Sequence, residues 1–139
     1  MKTRTIQQSV TIKTSPQKVY EALMSSRLHS AFTGDVARMS KKIGGTFSVF
    51  SGYARGKNLE LVKDEKIVQT WRADEKRWPK DHVSIATFLL EPAGKHTRLV
   101  FTHEDVPAEY ADSIADGWEK YYWEPIKQLL EHTKDGKNA

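Results

Sequence analysis

No cysteine occurs in the 139 residues, which excludes disulfides and thiolate metal sites and makes a cytoplasmic setting the expected one. Long hydrophobic runs are absent too. Nothing approaches the roughly 20 apolar residues that span a bilayer, so no membrane partner is expected. The opening Met1-Lys2-Thr3-Arg4-Thr5 passes straight into polar alternation, without the apolar core of an export signal. His29, His82, His96, His103 and His132 stand far apart, with no His-x-x-x-His pair, so no metal ligand set is expected. There is no Gly-x-x-x-x-Gly-Lys-Ser/Thr loop and no Gly-x-Ser-x-Gly elbow; neither a phosphate cradle nor a serine nucleophile is indicated, and no cofactor is expected. Nor is charge of one sign concentrated. The net charge of +4 comes from 22 basic and 18 acidic side chains, spread over Lys41–Lys42, Lys63–Lys66, Lys76–Lys80 and the tail. Nucleic-acid binders gather basic residues along one groove or helix face, so no nucleic-acid partner is expected.

What is present describes one folded domain. An apolar content of 38% with 29% charged residues is that of a globular chain, and 139 residues suffice for a core. Residues 1–132 are expected to form that domain, with the polar stretch 133–139 as a tail without fixed structure. Its organising segment is Glu109–Glu131. Tyr110, Ile114, Trp118, Tyr121, Tyr122, Ile126 and Leu130 recur there at helical spacing on one face. Pro125 lies inside this run and predicts a kink over Tyr121–Pro125. Three large aromatics on one stripe need a wide apolar partner, and a curved sheet is the natural one.

The rest of the chain supplies that sheet. Thr5–Lys13 reads as a first strand, with an irregularity expected at Gln7–Gln8. Ser15-Pro16 caps and opens a short helix through Met24, and Ser25–Ser26 separates it from a second over Arg27–Phe32. From Val36 onward strands and turns follow. Gly44–Gly45 makes a turn, and Gly52 and Gly56 bracket another. Leu59 and Leu61 share one face, and so do Ile67, Gln69 and Trp71. A hairpin about Pro92–Lys95 sets Ala86, Phe88 and Leu90 opposite Leu99, Phe101 and His103. The pattern predicts an α+β fold: a curved antiparallel sheet of about six strands, with two short helices after the first strand, gripping a long C-terminal helix.

A helix crossing such a sheet encloses Phe47, Val49, Gln69, Trp71, Phe88, Phe101, His103, Trp118 and Tyr122. This apolar set with a few polar tips describes either a small-molecule pocket or a filled core. Alternation places His103 on the inner face near Trp71, where a hydrogen-bonded core histidine is favoured over a general base; no catalytic residue is assigned. Trp123 falls off the apolar stripe. Either it packs on the first strand (Ile6, Val10) and closes the domain edge, or it contacts a partner protein together with Arg72 and Trp78.

Several of these segments resemble one known family. Gly117-Trp118-x-x-Tyr121-Tyr122-Trp123-x-x-Ile126-Lys127-Gln128 is similar to the C-terminal helix signature of the activator of heat-shock protein 90 ATPase, in its C-terminal domain. Thr14-Ser15-Pro16 with Tyr20, Ala31-Phe32-Thr33, Gly44-Gly45-x-Phe47, Ile67-Val68-x-x-Trp71-Arg72 and Trp78-Pro79 extend the resemblance over roughly Ile6 to Glu131. It implies the START-like, helix-grip (SRPBCC) fold. In the eukaryotic co-chaperones this domain follows a separate N-terminal domain, whereas this chain is expected to be a stand-alone domain, a monomer or weak dimer. Stand-alone relatives are implied to bind apolar ligands between helix and sheet. The functional expectation is therefore non-enzymatic binding of a small apolar molecule. Contact with a heat-shock protein 90 type ATPase comes second, and a cyclase-type enzyme third.

Overall fold

A computed structural model of the chain describes the backbone of residues 1–138 and the side chains of residues 1–131. The side chains of the expected tail, residues 133–139, lie outside the residues so described. The elements run β1 (Thr3–Ile12), α1 (Pro16–Met24), α2 (Ser26–Thr33), β2 (Arg38–Met39), β3 (Thr46–Val49), β4 (Ala54–Val62), β5 (Lys66–Ala73), β6 (Ser84–Ala93) and β7 (His96–Pro107). A 3₁₀ turn (Ala108–Tyr110) leads into α3 (Ala111–Trp118), a π turn (Glu119–Trp123) and α4 (Glu124–Asn138). The strands form one antiparallel sheet in the order β1-β7-β6-β5-β4-β3-β2, seven strands where about six were expected. The addition is the two-residue β2 at the edge. Among the described residues, no helix is long and apolar enough to cross a membrane.

Local chemistry explains the helical entry. The Ser15 hydroxyl accepts from Lys18 N–H and Pro16 occupies the first turn, where its missing donor is harmless. Ser25 ends α1 and caps α2 by accepting from Leu28 N–H. Both helices lay apolar side chains (Val19, Leu23, Phe32) into the core that the sheet and the C-terminal helices share.

Four local expectations need correction. β1 is regular through Gln7–Gln8, and its bulge lies at Arg4–Ile6. Gln8 keeps the inward alternation of Ile6, Val10 and Ile12, and its polarity serves the helix: Nε2 donates to the Ala115 carbonyl at 2.9 Å. In β4 a bulge between Asn58 and Glu60 makes Leu59 the exposed extra residue, so Leu59 and Leu61 do not share a face. Asn58 turns inward instead. Gly56 lies within β4, paired with Phe47, rather than at a turn, and glycine is needed there because a Cβ would stand 1.9 Å from the Thr70 carbonyl oxygen. The hairpin closes on Gly94–Lys95 alone, since Pro92 still pairs with Thr97 and Ala93 with His96. Gly94 supplies the positive φ of that two-residue loop.

The largest correction concerns the C-terminal helix. An unbroken α-helix would bring the Pro125 ring against the Tyr121 carbonyl, which would also lack its donor. The chain widens before the proline instead, and Glu124 N–H bonds to Glu119 C=O, five residues back. In such a turn, residues five apart share a face. Trp118 and Trp123 therefore stack, with centroids 5.7 Å apart and planes 19° apart, and Trp123 is only 4% exposed. Tyr121, expected in the core stripe, is rotated out to 58% exposure. Urea unfolding should show Trp123→Ala losing about 3–5 kcal/mol, as for a large core aromatic, and Tyr121→Ala less than about 1 kcal/mol. Equal losses at the two positions would contradict this register.

Candidate functional site

The inner face of the sheet meets the helix at Trp118. Its indole N–H donates to His103 Nδ1 at 3.1 Å. With Nδ1 accepting, the imidazole proton sits on Nε2, which donates to Ser84 Oγ at 2.7 Å, and Ser84 O–H donates to the Trp71 carbonyl at 2.8 Å. The chain of donors runs from helix to sheet with no ring nitrogen left over. Burial holds His103 far below the usual imidazole value, at about 3. A base needs a free acceptor nitrogen facing a substrate, and His103 is fully buried with both nitrogens engaged.

A second histidine, unassigned from sequence, secures the other side. His29 Nδ1 donates to the Leu23 carbonyl at 2.9 Å, which leaves Nε2 to accept the Tyr122 hydroxyl proton, also at 2.9 Å. Burial lowers its pKa to about 4, partly offset by the Leu23 hydrogen bond, and burial raises the Tyr122 phenol far above its ordinary value. His29 is three residues before Phe32, its ring neighbour at 4.7 Å; that spacing was the one available signal for its inward position. Asn58 escaped notice as well. Its Nδ2 donates to the Ser40 and Lys42 carbonyls, and its Oδ1 accepts from Gln69 Nε2, tying the β2–β3 loop to the sheet.

Every residue expected to line a pocket is buried on this face. Phe47, Val49, Gln69, Trp71, Phe88, Trp118 and Tyr122 border one small void, and Phe101 and His103 pack beyond its wall. That void measures about 10 Å³. One water needs about that much, whereas small-molecule sites run to about 300–1,000 Å³. At that place between helix and sheet, the side chains leave room for about one water.

The open space lies at its mouth. A groove of about 420 Å³ runs between α3 and the β3–β4 turn, with Phe50, Tyr53, Ile114 and Tyr121 at the rim and Trp71 and Trp118 in the floor. Phe50 and Ser51 both have positive φ, at 53° and 56°. Two successive left-handed non-glycine residues cost about 1–2 kcal/mol each, and the turn is held by Ser51 N–H to the Val36 carbonyl and Ser51 O–H to Asp35. The strained turn sets the Phe50 ring 6.1 Å from Tyr121 and 5.6 Å from Tyr122.

The residues expected at a partner surface are placed differently. Trp123 is buried, its indole N–H donating to Gln8 Oε1 at 2.7 Å, so of its two expected placements the structure shows the packing on β1 and not the exposed indole. Trp78 is also buried, with its N–H on the His82 carbonyl and its ring 5.9 Å from Trp71. Arg72 is half-buried and donates to the Pro79 and His82 carbonyls, fastening the β5–β6 loop.

A curved sheet gripping a helix, with an aromatic groove where the two part, defines a helix-grip protein. A family model described as activator of Hsp90 ATPase homolog 1-like protein matches residues 13–131, and the chain belongs to that family. It is 32% identical over 120 residues to the human activator of 90 kDa heat shock protein ATPase homolog 1, covering 86% of this chain and 35% of that protein. The chain thus spans about a third of the length of the curated relatives it matches. Among solved structures, an HSP90 activator from Plasmodium falciparum superposes with a TM-score of 0.83 at 25% identity, covering 91% of this chain and 96% of that one. The Aha1 dimer from Colwellia psychrerythraea, at 20% identity and TM-score 0.78 over 92% and 96% of the two chains, shares the fold.

The two locked histidines make stability depend on pH. Unfolded, each takes a proton near pH 6.5; folded, neither does until about 4 or 3. The unfolded state therefore binds more protons below pH 6.5, and stability falls as pH drops toward those folded values. Urea titrations should show a loss of about 3–4 kcal/mol between pH 7 and 5, where carboxylates contribute little. A flat profile over that interval would contradict the two locks.

Proposed function

We propose that this chain is a protein-binding domain of the heat-shock protein 90 activator type, acting through its surface. The observation that carries this reading is the filled interior. Helix and sheet leave about 10 Å³ between them, so the grip consolidates the domain instead of holding cargo. Family membership and the curated human relative's name point to the class of partner, a heat-shock protein 90 type ATPase. Saturable binding to such an ATPase, measured by calorimetry, and a change in its turnover are the expected outcomes. Absence of both would overturn the reading.

A second reading rests on the groove at the mouth. Its volume of about 420 Å³ and its aromatic walls suit a small apolar molecule, one that stays outside the locked core. An apolar compound bound there should shift the amide signals of Phe50, Ile114 and Tyr121 and leave those of Phe101 and His103 in place. Phe50→Ala should weaken it at least about tenfold, or ~1.4 kcal/mol. Shifts centred on Phe101 and His103 would mean that the core opens and that the groove is not the site.

A further inference from the structure

The outer face of the sheet carries a feature that the scatter of charge along the sequence conceals. Strand register sets Arg38 of β2, Ser48 of β3, Arg55 of β4 and Arg72 of β5 in one row across four strands. Lys57 stands two residues along β4 from Arg55, on the same face, its backbone N–H on Thr70 Oγ1. The four cations line one open groove of about 930 Å³, and among the described residues none that lines it is acidic. Like charges directly opposite on neighbouring strands destabilise a sheet, yet Arg55 and Arg72 are such a pair. Among the described residues, the ion pairs involve Arg4, Lys66, Arg77 and Lys120, and none of the groove's cations. Arg72 cannot swing away from the row, because the Pro79 and His82 carbonyls hold its guanidinium.

We propose that this face docks an extended acidic polypeptide segment, whose carboxylates are taken by Arg38, Arg55 and Lys57 with Arg72 at the end of the row. The inference deepens the protein-binding reading, on which it rests, by naming the surface and the partner's chemistry. Four strands at about 4.8 Å spacing make the row about 14 Å long, and alternate side chains of an extended segment recur every 6.6–6.8 Å or so, giving about three carboxylates along it. Guanidinium groups take carboxylates bidentately, which fixes orientation as well as charge. Exposed Val36 and Val83, before β2 and before β6, offer apolar contacts at either end. A nucleic acid fits less well. Among the described residues the only aromatic lining the groove is Phe47, which is buried and offers bases no face to stack on.

The test uses the full chain and a capped peptide of about eight residues alternating glutamate and valine, long enough to cross the row. Its glutamine counterpart and an oligonucleotide of equal charge serve as competitors. The glutamate peptide should shift the amides of Arg38, Ser48, Arg55 and Lys57, and Arg38→Glu or Arg55→Glu should weaken it at least tenfold. Lys41→Glu, in the separate cluster of Lys41, Lys42 and Lys63 beside Asp64, should leave it unchanged. Arg55→Glu should also raise the melting temperature, since it replaces a repelling pair with an attracting one. Absent peptide binding, binding indifferent to both reversals, or an oligonucleotide that binds these residues as tightly as the peptide would each overturn the proposal. The same variants are then titrated with the chaperone ATPase. If it binds wild type and Arg55→Glu equally, the docking surface fails and the protein-binding reading stands. If it does not bind wild type, that reading fails, and the peptide measurements still decide the surface.

Discussion

The hydrogen bond from the Trp118 indole to His103 Nδ1 is the constraint on which the rest of the structure depends. It joins the C-terminal helix to β7 at a point where both partners are dry. A neutral donor and acceptor in low dielectric are costly to separate, because each would be left unsatisfied. Trp118 is thereby fixed among Trp71, Phe88, Phe101 and Tyr122, and those rings fill the concavity. The same bond that grips the helix removes the space for a ligand beneath it and the nitrogen that a general base would use.

Pro125 and the π turn determine which aromatics take part. A proline at that position forbids a regular turn before it, and the widened turn re-phases the helix by one residue. Trp118, Tyr122 and Trp123 then all face the sheet, and Tyr121 is turned out to the groove where it meets Phe50. Gln8 completes the arrangement from β1, bonding both the Ala115 carbonyl and the Trp123 indole. A single residue that looks like a defect in the helix thus sets both the composition of the core and the rim of the groove.

The sequence made these features legible to different degrees. Helix caps and the inward stripes of β5, β6 and β7 follow from local chemistry and period alone, so Ser15, Ile67, Trp71, Phe88 and His103 were placed correctly. Features that depend on register were not legible. The β4 bulge turned Leu59 out and Asn58 in, and the π turn exchanged Tyr121 for Trp123, because a shift of one residue moves a side chain to another face without changing composition. The Arg38–Arg55–Arg72 row was invisible for the same reason: its members are far apart in the chain and adjacent only through strand pairing. Whether the enclosed set was a pocket or a core turned on side-chain packing, which periodicity does not report.

Both proposed binding surfaces, an aromatic groove at one end of the helix and a basic face on the far side of the sheet, are carried by one closely packed core. The most direct measurement of that closure is the protonation state of His103, read from long-range proton–nitrogen correlations of its ring as pH is lowered. The account predicts a neutral ring down to pH 5, with the proton on Nε2 and Nδ1 bare. A proton on Nδ1, or titration near the unperturbed imidazole value of about 6.5, would mean that the helix is not locked to the sheet and that the interior is open.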